Sequence, residues 1–512
     1  MGAGMGGLAS AVRLAAAGVD VVVADKLAHV GGKARQLPVE GVPVDAGPTV
    51  FTLRDVFDDV FRSASRRLDD YVTVNQASVI ARHAWRPDDR LNLYADPLQS
   101  EEAIGDFAGS AAAQGYRTFR KESARIYSIL ENSMLRADKV SWPLPLMWRI
   151  GLWRVGDLIA IRPYESLWKV LGEHFADSRL RQMFARYATY CGSSPFATPA
   201  TLMLIAHVEA QGVWLIDGGM NSLANALRRV AEEHGARFRL GQAVDRIVVE
   251  RGRACGVVLA DGDRIDADAV MVNADPAALG SGAFGAEAAR AASPMKPANR
   301  SLSAMVWLAR TRTNGFALSR HNVFFSPDYR REFADIGAGC PPADPSVYVC
   351  AQDRGAAGSE PIDGRERLQI IVNAPANGDT HTYSSKERER CTRAMQRSLA
   401  RCGLELEEAF PHTMVTPNEF ADLSPSTGGA IYGRASHGWA ASFLRQGTRT
   451  WIPGLYCAGG STHPGAGVPM AALSGRLAAQ QVMRDLASMR RFHPVAMAGG
   501  MSMRSVTTEG TG

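Results

Sequence analysis

The first seven residues constrain this chain more than any other stretch. In "MGAGMGGLASAVRLAAAG", Gly2, Gly4 and Gly7 form a G-x-G-x-x-G run that opens into an alanine-rich helical stretch through Ala17, stopped at Gly18. The apolar strand "VDVVVAD" follows and ends at Asp25, 18 residues past Gly7. Glycines at this spacing permit the tight turn and close backbone approach that a pyrophosphate needs. Its charge rests at the helix N-terminus, and an acid at the end of the second strand takes a ribose hydroxyl. The pattern predicts a dinucleotide-binding strand–helix–strand unit and therefore an α/β fold. A glycine-rich turn made for packing alone is the competing reading.

The continuation "KLAHVGGKARQ" places Gly31 and Gly32, then Lys33 and Arg35, after the second strand. This double-glycine extension resembles the one that FAD-dependent oxidoreductases add to the nucleotide-binding fold, and it makes FAD the favoured cofactor. Asp25 stands where most such flavoproteins carry Glu; it accepts the same hydrogen bond on a shorter arm.

At 512 residues the chain exceeds what one core usually fills. Residues 1–63 read as a first FAD-binding segment. Within it "VPVDAGPTVFTLRDVFDDVF" gives a strand, a Gly-Pro turn and a helix carrying Leu53, Val56, Phe57, Val60 and Phe61 on one face, with Thr52 as N-cap. Residues 64–215 read as a helix-rich substrate and membrane-docking domain, with strands near "YVTVN" and "LNLYAD". Residues 216–290 return to the nucleotide-binding pattern: Leu223, Ala226, Leu227 and Val230 form a helix face ended by Gly235, Asp261-Gly262 signals a hairpin, and "ADAVMVNAD" rejoins the main sheet. Residues 291–420 add substrate-domain material, 421–491 a third FAD-binding segment, and 492–512 a tail without periodicity. The predicted architecture is thus an α/β, Rossmann-like FAD-binding domain in discontinuous segments plus an inserted α+β substrate domain.

The second sharp signal is "GLYCAGGSTHPGAGVPMAALSGRLAAQQVM". A strand ends at Gly459-Gly460, a Gly- and Pro-rich loop follows, and a helix begins near Val468. Backbone N–H groups at such a helix start can face negative charge, here the N1–C2=O region of a flavin. The cofactor-binding set is therefore Gly2, Gly4, Met5, Gly6, Gly7, Asp25, Lys26, Gly32, Lys33, Arg35, Val244, Gly459, Gly460, Gly467, Val468, Pro469 and Met470.

"THPGAGVPM", "DAGPTVFT", "DGGMNSLANAL" and the fingerprint together resemble the bacterial carotenoid desaturases of the phytoene desaturase type. Within that family, "GPTVFTLRDVFDDVF", "LRQMFARYATYCGSSPFATPA", "IYGRASHGWAASF" and "CAGGSTHPGAGVPMAALSGR" are similar to the branch of purple photosynthetic bacteria that desaturates C3–C4 of 1-hydroxylated acyclic carotenoids. The resemblance spans roughly residues 1–490. It implies hydride transfer from carbon to a flavin and loss of a proton from the neighbouring carbon. That chemistry belongs largely to the cofactor, so no strong acid–base constellation is required. Arg434, His437 and His463 are the candidates near the flavin, each equally readable as structural. Family members run several apolar residues into the first glycine, and Met1 takes the last of those positions here. The resemblance therefore predicts a functional start upstream, or weak FAD retention by the chain as written.

A carotenoid substrate resides in membrane. The stretch from 142 to 168 gathers Trp142, Trp148, Trp153 and Trp168 among Arg149, Arg154 and Arg162, a composition suited to peripheral docking on the cytoplasmic side of the inner membrane. A pair of core helices fits the same periodicity. The alternatives in function are a phytoene desaturase proper, an amine-oxidase-like flavoprotein, and a non-redox isoprenoid carrier such as Rab GDP-dissociation inhibitors; the retained fingerprint argues against the last. With no second complete dinucleotide motif, oxygen or a quinone is a better electron acceptor than NAD(P). A net charge of +5 spread along the chain argues against nucleic acid, and seven scattered cysteines without a CxxC pair suggest no metal site.

Overall fold

In the computed structural model, which describes residues 1–138, 148, 160–355, 361 and 363–492, the fingerprint glycines lead straight into helix Met5–Ala16. This helix is buried along Met5, Leu8, Ala9, Val12 and Ala15, and its small residues let the C-terminal helix Val468–Phe492 come close. At Gly475 the approach reaches its limit. A Cβ there would stand 2.2 Å from the carbonyl oxygen of Gly6, and Ser10 Oγ donates to the Gly475 carbonyl at 3.0 Å.

Strand Val22–Asp25 pairs in parallel with Arg237–Leu240, and Val270–Val272 pairs in parallel with Leu455–Cys457. Met1 and Gly2 lie between the two pairs: Gly2 N donates to the Ala24 carbonyl at 2.7 Å, and Asn273 N donates to the Met1 carbonyl at 2.9 Å. Segments far apart in sequence therefore converge on one parallel layer. Helix Met220–Glu233 packs beside the fingerprint helix with Leu223, Ala226, Leu227 and Val230 buried, and Gly235, at φ +90°, turns the chain out of it.

The second layer is a sheet ordered His412–Val415, Ser303–Thr311, Glu366–Ala374, Val347–Ala351, His321–Phe324, Val79–Ala84 and Arg90–Tyr94. Alternation along its central strands divides two environments. Met305, Trp307, Leu368, Ile370 and Val372 face a core shared with helix Ser385–Arg401. Ala304, Val306 and Leu308 face the hairpin Gln36–Val39 with Val42–Asp45, and Ile371 packs beside them.

Several local expectations change. The helix expected after the Gly-Pro turn runs Arg54–Ser63 and buries Val56, Phe57, Val60 and Phe61, but its N-cap is Leu53 in the left-handed region (φ 47°, ψ 53°), not Thr52. Thr52 instead faces the central cavity, where Leu53 also lies. Strand Val79–Ala84, which carries no clear turn signals, stands between the two strands expected in residues 64–215. Most of the proposed docking stretch, including Trp142, Trp153, Arg149 and Arg154, lies outside the described residues, as does the tail beyond Phe492. Of the rest, Trp148 is 70% exposed. Trp168 is half-buried against Phe196 and Tyr329, and Arg162 is held by Glu122, Glu165 and Glu173, so both are engaged within the protein. No helix among the described residues is long and apolar enough to cross a membrane.

Candidate active site

A cavity of about 740 Å³ runs from the fingerprint, between the two layers, into the helical part of the chain. Its volume lies in the range of cofactor and substrate clefts. At one end Gly2, Gly4, Met5 and Gly6 form the wall, with Asp25, Lys26, Gly32 and Lys33 beside them. Val244, Gly459, Gly460 and the helix start Gly467 to Met470 complete that end. Gly7 and Arg35 do not line it. Gly7 is a packing position, since a Cβ there would meet the Gly2 carbonyl oxygen at 2.1 Å.

The dinucleotide end is shaped by absent side chains. A Cβ on Gly4 would come within 2.8 Å of Asn273 Nδ2, and one on Gly6 within 2.7 Å of Asn273 Oδ1 and 2.8 Å of Gly459 Cα. Asp25 fixes the turn: one carboxylate oxygen accepts from Ala3 N at 2.6 Å and the other from Leu27 N at 2.8 Å. Asn273 Oδ1 is buried without a partner between the fingerprint and the C-terminal glycines. Close backbone, an acid at the second strand and a helix start are what a dinucleotide pyrophosphate and ribose require, so this end fits the group.

Two cations line the cavity, half-buried Lys33 and buried Arg445. Lys33 Nζ donates to the Ile431 carbonyl, and burial lowers its pKa. Arg445 donates to the carbonyls of Tyr432, at 3.0 Å, and Arg434, at 2.6 Å, and burial likewise lowers its pKa. Asp275 is buried nearby, accepting from Ser461 Oγ at 2.6 Å and Ala277 N at 2.9 Å. Sequence reasoning passed over Asn273, Asp275 and Arg445; "VNAD" at the end of a returning strand is the signal that could have raised the first two.

None of the three catalytic candidates lines the cavity. His463 is buried with Nε2 at 3.0 Å from the Ala137 carbonyl oxygen. His437 is exposed and accepts from Ser194 N at 3.1 Å. Arg434 contributes its carbonyl to Arg445. No group of residues able to hold a metal ion occurs among the described residues.

Beyond the dinucleotide end the wall turns apolar, with Leu130, Met134, Leu135, Leu202, Ile205 and Val208. Among the described residues, the charged Glu209 borders it; its carboxylate accepts from Tyr187 Oη at 2.6 Å and Tyr190 Oη at 2.9 Å and faces Arg186 at 3.4 Å. A dinucleotide cradle that opens into an apolar channel defines a flavin-type oxidoreductase for a long apolar substrate. The model of the flavin containing amine oxidoreductase family matches residues 5–483. The chain is 48% identical to the hydroxyneurosporene desaturase of Rubrivivax gelatinosus, over 100% of this chain and 97% of that protein. It is 44% identical to that of Cereibacter sphaeroides, over 96% and 98%. It therefore belongs to the hydroxyneurosporene desaturase family within the flavin-containing amine oxidoreductases. In fold it is similar to an oxidoreductase from Methanosarcina mazei, with a TM-score of 0.60 and 19% identity over 94% of this chain and 98% of that one.

Proposed function

We propose that this chain is an FAD-dependent desaturase that introduces the C3–C4 double bond into 1-hydroxylated acyclic carotenoids. The observation that carries this reading is the single cavity that joins a glycine-walled dinucleotide end to an apolar channel. Bound FAD supplies the ring that accepts a hydride. The protein's part is to hold the pyrophosphate at the Gly2–Gly6 turn, fix the ribose at Asp25, and set the ring edge against the helix start at Gly467–Met470. Lys33 and Arg445, both lining the cavity, would offer positive charge to a ring that gains electron density. The apolar wall from Leu130 to Val208 aligns the polyene and excludes water, and a base is dispensable because conjugation spreads the positive charge left on the substrate. The electron acceptor is oxygen or a quinone.

The same reading places the protein on a membrane surface, where its substrate is dissolved. Exposed Trp148 supports this, as does a cluster of Tyr164, Trp439 and Leu444, 79%, 42% and 58% exposed. The test is incubation of FAD-loaded enzyme with 1-hydroxyneurosporene and, separately, phytoene, followed by absorption spectra. A red-shifted product from 1-hydroxyneurosporene is expected; a product from phytoene alone overturns the reading.

A further inference from the structure

We infer that Gln369 reads the hydroxyl of the substrate and sets the preference for a hydroxylated chain end. This inference rests on the substrate proposed above. Gln369 sits in strand Glu366–Ala374, between Leu308 and Cys350 on the neighbouring strands, on the face turned to the cavity. It is 1% exposed. Its Nε2 donates to the Gly47 carbonyl at 2.9 Å, which fixes the amide's orientation and turns Oε1 away from that carbonyl. Oε1 is buried and has no hydrogen-bond partner. A buried acceptor left unpaired costs free energy that a donor in the cavity recovers.

An acyclic polyene has no donor along its length. A tertiary alcohol at its end has one. In 1-hydroxylated substrates the carbinol carbon lies only two bonds from C3, so the hydroxyl group must rest close to the bond being oxidised and therefore close to the flavin ring. Gln369 lines the same cavity, and contiguous backbone ties it to the dinucleotide end. Its partner Gly47 packs directly on the Gly31–Lys33 turn, where a Cβ on Gly47 would stand 1.9 Å from the Lys33 carbonyl oxygen. Gly32 in turn lies against the fingerprint, its Cβ position 3.2 Å from Gly4 Cα. The Glu209 cluster also borders the cavity, but its carboxylate is already met by Tyr187, Tyr190 and Arg186.

A site built to pair a hydroxyl rejects the analogue that lacks it far more strongly than an apolar pocket can. The experiment compares wild type with Gln369→Leu on 1-hydroxyneurosporene and on neurosporene, the same polyene without the hydroxyl, presented in liposomes. The expected result is at least a tenfold fall in the ratio of the two kcat/KM values, with flavin absorbance and Tm retained. An unchanged ratio, or loss of bound FAD from the variant, overturns the inference. A measurement on wild type alone removes any dependence on the variant's folding: the 1-methoxy ether, which cannot donate, is expected to be turned over at least tenfold less efficiently than the alcohol, and equal turnover overturns the inference. Wild type that converts neither hydroxylated nor unhydroxylated polyene overturns instead the substrate reading beneath it.

Discussion

Asp25 and Ala3 are joined by a 2.6 Å hydrogen bond from the Ala3 amide to the Asp25 carboxylate, which locks the second strand to the glycine turn. The other carboxylate oxygen accepts from Leu27 N, so one side chain shapes both edges of the dinucleotide end. Hydrogen bonds to a charged group contribute about 1.5–3 kcal/mol each. Asp25→Ala should therefore weaken FAD binding by about 2 kcal/mol, roughly thirtyfold. Titration of apoprotein with FAD, followed by flavin fluorescence, measures this; unchanged affinity counts against the assigned role.

Gly475 tests the contact between the first and last helices. The nearest obstacle to a side chain there is the Gly6 carbonyl, part of the fingerprint backbone, which cannot rotate away as a flexible side chain can. Overpacking of a buried contact costs about 1–3 kcal/mol, and this one also displaces the turn proposed to hold the pyrophosphate. Gly475→Ala should lower Tm and reduce FAD occupancy together. A variant with normal Tm and full flavin content would contradict that linkage.

Glu332 sets a pH dependence. It is buried, accepts from the Ser346 hydroxyl at 2.7 Å and amide at 3.1 Å, and burial pushes its pKa up to about 7 from an ordinary 4.5. Between these values the unfolded chain has released a proton that the folded chain retains. Stability from this group therefore falls as pH rises from about 4.5 to about 7 and levels off above, a change of about 3 kcal/mol. Glu332→Gln should flatten that part of the profile in chemical denaturation from pH 5 to pH 8. An identical slope in the variant would exclude Glu332 as its source.

What the sequence disclosed is what local backbone chemistry encodes. Gly2, Gly4, Asp25 and Val468 mark turns and helix starts whose signals lie within a few residues, and they stand at the cavity wall. The helix stripe from Val56 to Phe61 was equally readable, because burial repeats with the helical period. The N-cap one residue away was not. Thr52 has the better capping chemistry, yet the chain needs Leu53 inside the cavity wall and accepts a left-handed backbone to place it there. Gln369 and Arg445 were illegible for a different reason. Gln369 acquires its role through Gly47, hundreds of residues away, and Arg445 through the carbonyls of Tyr432 and Arg434, which only the path of an irregular loop brings to its guanidinium. His463 misled because its loop is diagnostic while its ring is spent on the Ala137 carbonyl.

The membrane docking proposed above is open to a direct test. The exposed Tyr164 and Trp439 rings lie 5.8 Å apart and half-buried Phe443 adjoins Trp439 at 6.3 Å, so these rings form a patch, with exposed Leu444 next to Phe443 in the chain. Removing such a patch from water is favourable, and an interface that accepts aromatic rings at headgroup depth does so. Burying two large apolar side chains is worth about 3 kcal/mol. Trp439→Ser combined with Leu444→Ser should lower partitioning to liposomes at least tenfold. Flavin content should not change, because neither residue lines the cavity. Flotation assays at low and high salt separate this apolar contribution from attraction between cations and anionic lipid, which salt screens. Partitioning of the double variant equal to wild type at high salt would exclude this patch as the docking surface and leave the contribution to the stretch around Trp148.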